Sequence, residues 1–61
     1  MNNHSKKLLT YIREEKVVTT SEIAKLLDVS WNTAESYLKD QVIAGEIIIK
    51  KKEGVNLWLK K

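Results

Sequence analysis

An α+β domain, helices first and an antiparallel hairpin last, is predicted by three observations on these 61 residues. Apolar residues recur at helical spacing as far as about residue 44, from residue 46 the period falls to two, and Thr19, Ser30 and Gly45 stand where one element must stop or the next begin. With no Pro, no Ser/Gly-rich linker and no repeat, the chain reads as one domain over 1–61. Its 43% apolar and 31% charged residues are those of an ordinary folded domain.

Each element has its reason in local chemistry. After a polar start, expected to be flexible over residues 1–4, the residues Leu8, Leu9, Tyr11 and Ile12 share one face of a helix over 5–15, with Lys16 just past its last turn. Val17-Val18-Thr19 is a β-branched run, long enough for one brief strand. Thr19 or Thr20 caps a second helix over about 20–27, and Glu22, three residues after Thr19, completes a capping-box pattern. Ile23, Leu26 and Leu27 form its buried stripe. Asp28-Val29-Ser30 interrupts the helical pattern, because Asp tolerates a left-handed turn and Ser is a strong N-cap for a third helix.

That helix starts at Trp31 and runs to about residue 44, with Gly45 as its stop. At 100° per residue, Ala34, Tyr37, Leu38 and Gln41 lie on one side, Asn32, Ser36 and Lys39 on the other, and Glu35 at the edge. Residues 46–52 and 55–60 then form a hairpin that turns at Glu53-Gly54. Val55, Leu57 and Leu59 share one face of the last strand, so the odd-numbered face is read as the core face. Asn56, Trp58 and Lys60 then fall on the outer face, where Trp58 is expected to join Ile48 in an exposed apolar pair.

Composition excludes several classes of function. No Cys means no disulfide framework and no thiolate metal site. The longest apolar run, Ile47-Ile48-Ile49, is far short of a membrane span, and residues 1–15 lack a secretory apolar segment, so the expectation is a cytoplasmic protein without a membrane partner. No nucleophile–base set, phosphate loop or metal-spaced cluster appears, and His4 stands alone in a terminus expected to fray, so neither catalysis nor a metal, cofactor or small-molecule effector is expected. The formal charge of +3 is unevenly placed: residues 1–45 carry six bases and six acids, whereas residues 46–61 hold Lys50, Lys51, Lys52, Lys60 and Lys61 against Glu46 and Glu53. Such a basic tail suits a polyanionic partner; the alternative is a solvated surface that only aids solubility.

Two short helices joined by a three-residue turn need a small residue where the second crosses the first, and Ala24 and Ala34 keep both facing surfaces low, with Val29 plugging the space beneath the turn. The run Ile23-Ala24-x-x-Leu27-x-Val29-Ser30-x-x-Thr33-Ala34-x-x-x-Leu38 resembles the helix-turn-helix of the winged-helix DNA-binding family, and Ala44-Gly45-x-Ile47 leading into a lysine-tipped hairpin resembles its wing. The resemblance implies a winged helix-turn-helix, three helices with a short strand and a C-terminal hairpin wing, that binds double-stranded DNA as a transcriptional regulator. It implies helix 3 (about 31–44) in the major groove and the wing (46–60) on the backbone or minor groove.

On that resemblance Asn32, Ser36, Lys39, Trp31 and Glu35 are the candidate base readers, and Ser30, Thr33, Lys25, Lys50, Lys51, Lys52 and Lys60 the candidate backbone contacts. Asn32 has the chemistry for bidentate pairing with adenine, Lys39 for guanine or phosphate, and Glu35 for the cytosine amino group. Packing along the helix flank beside Leu38 and Val42 is the competing role for Trp31. One module covers few base pairs, so selectivity calls for two copies on a repeated or palindromic site, and a homodimer is one hypothesis for them, with Ile48 and Trp58 as the candidate dimer or partner contact. The rival expectation is a protein-interaction module that docks through the hairpin and Trp58.

Overall fold

The computed structural model describes residues 3–61, in the order α1 (Asn3–Glu15), β1 (Val17–Thr19), α2 (Thr20–Leu27), α3 (Trp31–Ile43), β2 (Ile47–Lys52) and β3 (Val55–Lys60). The strands form one antiparallel sheet in the order β1-β3-β2. Helices α2 and α3, joined by the turn at residues 28–30, with the hairpin β2–β3 beyond them, make this a winged helix-turn-helix of the α+β class.

Helix boundaries are set by hydrogen bonding at their ends. At the start of α2 the Thr19 hydroxyl accepts from the Glu22 backbone N–H at 3.3 Å, while the Thr19 N–H donates to the Glu22 carboxylate at 3.0 Å, a complete capping box. The Tyr11 hydroxyl donates to the other Glu22 oxygen at 3.4 Å, tying α1 to the same cap. All three helices stop at a left-handed residue: Lys16 (φ 73°), Asp28 (φ 56°) and Gly45 (φ 79°). At α2 the Val29 N–H reaches the Ala24 carbonyl and the Asp28 N–H the Lys25 carbonyl, and at α3 the Glu46 and Gly45 N–H groups reach Gln41 and Val42 in the same pattern. The two-residue turn Glu53-Gly54 has φ of 51° and 80°, the doubly left-handed form that matches the twist of a hairpin.

The core is drawn from every element: Leu8 and Ile12 of α1, Val18 of β1, Ile23 and Leu27 of α2, Ala34 and Leu38 of α3, Ile47 of β2 and Trp58 of β3. Ala34 is fully buried and Ala24 and Val29 pack against the core it belongs to, as the steric argument for the helix crossing requires. His4, expected to be loose, lies in α1 with its ring 5.6 Å from that of Tyr37; Met1 and Asn2, also within the expected flexible start, lie outside the described residues.

The hairpin has the opposite parity to the one the sequence suggests. Trp58 is 0% exposed and its indole N–H donates to the buried Thr20 hydroxyl at 2.9 Å, so the even-numbered face of β3 is the core face. Val55 is 48% exposed, and Leu57 and Leu59 are only half-buried on the outer side. One indole outweighs the aliphatic row because it fills the space between sheet and helices and finds a hydroxyl for its only donor. The expected Ile48/Trp58 surface pair therefore does not form: Ile48 pairs with Leu59, and Trp58 pairs with Ile49 and Val18 on the inner side.

Replacement Trp58→Phe removes the buried donor and part of the ring. Expected is a loss of about 1–2 kcal/mol, seen as a melting midpoint roughly 5–10 °C lower by circular dichroism. An unchanged midpoint would show that the Thr20 bond contributes nothing.

Candidate nucleic-acid interface

Asn32, Ser36 and Lys39, spaced along one side of α3, are all exposed and, with Glu35, Asp40 and Ile43, make up one open face of the helix. Ile43, 83% exposed at its far end, joins the candidate residues of this face although those named from the sequence do not include it. The signal for it is its position, eleven residues after Asn32 and four after Lys39 on the polar stripe.

The remaining candidates of α3 are occupied within the protein to different degrees. Ser30 is the N-cap: its hydroxyl accepts from the Thr33 N–H at 3.2 Å and donates to the Thr33 hydroxyl at 2.9 Å. These two hydroxyls thus hold the start of α3 together. Trp31 is 48% exposed and, rather than lying along Leu38, lines a cleft of about 290 Å³ with Thr19, Thr20, Ser21, Gly54, Val55 and Asn56, between the start of α2 and the hairpin turn.

Glu35 is not free to read a base. One carboxylate oxygen accepts from the Asn56 side-chain N–H at 3.1 Å, and the other lies 3.7 Å from the Lys39 ammonium, with the Glu35 side chain only 17% exposed. The acidic residue on α3 thus acts as the clasp between helix and wing. Asn56 escapes a sequence reading, because the bond spans 21 positions and exists only if the even-numbered side of β3 faces α3. The amide oxygen of Asn56 is buried without a partner among the described residues, so the carboxylate is what orients this side chain.

Strand alternation then sorts the lysines. Lys51 is the cross-strand partner of Asn56 and shares its α3-facing side, whereas Lys50 and Lys52 pair with Leu57 and Val55 on the opposite side. A run of three consecutive lysines cannot present all three to one partner in an extended strand. Lys60 pairs with Ile47 at the far end of the ribbon, four residues or about 13 Å along β3 from Asn56, and so is not brought to the open face of α3. Lys25 is exposed on α2. The candidate residues that the fold leaves open are therefore Asn32, Ser36, Lys39 and Ile43 on α3, and Lys51 on the α3-facing side of the ribbon.

Among the described residues, no three His, Asp or Glu side chains come together as a metal site, and no helix is long and apolar enough to cross a membrane. Elsewhere the phenol of Tyr11 is raised above its ordinary value, by partial desolvation first and then by the negative charges of Glu15 and Glu22.

Fold and site together define a small winged helix-turn-helix domain with a polar third helix clasped to a basic ribbon. The chain belongs to the family described as bacterial protein of unknown function (DUF977), whose profile matches residues 3–58. Neither a curated protein nor a solved structure matches it.

Removing the clasp should loosen the wing without unfolding the domain. Glu35→Ala is expected to lower stability by about 1 kcal/mol and to speed amide hydrogen exchange at residues 52–56 selectively. Glu35→Gln, which still offers an acceptor to Asn56, should restore most of the protection. Equal exchange in all three proteins would show that the contact does not hold the wing.

Proposed function

We propose that this domain binds double-stranded DNA, with α3 in the major groove and the Lys51 side of the hairpin along the adjacent backbone, and that it acts as a transcriptional regulator. The observation that carries the reading is the Glu35–Asn56 bond, because it sets the reading helix and one cationic side of the ribbon at a fixed mutual position. Asn32 offers the donor–acceptor pair for an adenine edge, Lys39 a donor for guanine or phosphate, and Ile43 an apolar contact for a thymine methyl. Lys51 and Lys25 supply attraction to phosphates, and the N-terminus of α3 adds its partial positive charge.

The rival reading, partner docking through Trp58, loses its main support because that side chain is wholly buried. The same burial removes the Ile48/Trp58 pair as the basis for a homodimer.

Electrophoretic titration of the protein against duplex DNA at several salt concentrations tests the proposal. Each neutralised phosphate contributes about −0.9 to the slope of log K against log salt, and a slope of about −3 is expected from Lys25, Lys39 and Lys51. Lys51→Ala should weaken all sequences equally and make the slope shallower by about 1, with Lys50→Ala changing it less. Asn32→Ala should cost about 1–3 kcal/mol on a duplex selected from a random library and almost nothing on unselected duplex. No binding at low salt would overturn the reading, and equal loss on both duplexes would remove Asn32 as its reader.

A further inference from the structure

Among the described residues, one side of the sheet is bare. Its outer face carries Val17, Leu59 and Ile48 in one cross-strand row, Thr19, Leu57 and Lys50 in the next, and Val55 with Lys52 nearest the turn. Val17, Ile48 and Val55 are each 43–48% exposed, and the core lies entirely on the other side. We infer that this outer face is a docking surface for an amphipathic helix of another protein, one that carries carboxylates along one flank of its apolar stripe.

Charge argues for the acidic flank. Among the eight outer-face residues the only charges are Lys50 and Lys52, on the β2 side of the apolar row, and neither makes an ion pair among the described residues. They stand two residues apart, about 7 Å along the strand, close to the roughly 6 Å between side chains at i and i+4 on a helix. A helix lying along β3 with Leu or Ile over Leu57 and Leu59 would therefore bring two carboxylates, one turn apart, against two lysines.

Size argues for a single helix rather than a second copy. The outer face offers eight residues over about 14 Å by 20 Å, whereas a stable dimer engages about 20–30 residues on each partner. Two copies would also bring two lysine pairs onto one small interface while each chain carries +3. A helix about 10 Å across fits the width. An anionic membrane would supply the same charge, but the face offers no aromatic side chain to anchor at a lipid interface, since Trp58 points inward.

The test uses the 61-residue protein, ¹⁵N-labelled, and a synthetic four-turn helical peptide with a Leu stripe flanked on one side by Glu. Saturable shifts of the Val17, Ile48, Leu57 and Leu59 amides are expected, with a Kd of about 10–300 µM and the Asn32–Lys39 amides unmoved. Val17→Ser/Ile48→Ser, at two half-exposed positions whose intact fold is checked by its melting curve, should weaken the peptide at least tenfold and leave duplex binding unchanged. A peptide with Lys in place of Glu should not bind. No saturation up to about 1 mM overturns the inference. So do shifts confined to α3 or to the free edge of β2, binding to anionic phospholipid vesicles that the double variant also loses, or a concentration-dependent dimer in sedimentation that the double variant abolishes. DNA binding is read separately, so its failure and the failure of this docking surface are distinguishable.

Discussion

The burial of one indole orders the second half of this molecule. A strand alternates strictly, so placing Trp58 inside fixes the direction of every side chain on β3, and the register carries that choice to both neighbours. Val18 turns into the core beside it, Ile49 takes the same side of the sheet while staying 43% exposed, Leu57 and Leu59 turn outward, Asn56 reaches Glu35, and Lys51 rather than Lys50 or Lys52 stands on the α3 side. None of these placements is independent. A slip of one residue would expel the indole, strand the Thr20 hydroxyl and reverse the lysines together.

Area alone does not decide that choice. Burying a Trp side chain of roughly 150–250 Å² is worth about 4–6 kcal/mol, and fully burying two leucines is worth about 3–6 kcal/mol. The alternatives are nearly level on this measure. They are separated by what each parity leaves behind: Leu57 and Leu59 stay half-buried on the outer face, while an outward Trp58 would forfeit both its cavity and its buried hydrogen bond.

That near-balance explains what the sequence could and could not disclose. The helices were legible because their ends are local: Thr19 with Glu22, Ser30 with Thr33, and the left-handed Asp28 and Gly45 each act within a few residues. Ala34 and Leu38 against Asn32, Ser36 and Lys39 marked the buried and open sides of α3 from periodicity alone. The hairpin was legible as a hairpin but not in its parity, because Ile47-Ile48-Ile49 does not alternate and β3 has apolar residues on both faces. The Asn56 clasp depends on that parity, so it was hidden for the same reason, and Glu35 looked like a reader when its carboxylate serves the fold.

The clasp also recasts the electrostatics of α3. Acidic residues on a helix proposed to face a polyanion would oppose binding, yet Glu35 has one oxygen on an amide and the other near Lys39, which leaves Asp40, among the described residues, as the free carboxylate of the open face. Among the described residues the helices lie on one side of the sheet, and the opposite side is uncovered. Because Asn56 and Leu57 are consecutive on the central strand, the clasp to α3 and the bare apolar row lie back to back across a single backbone.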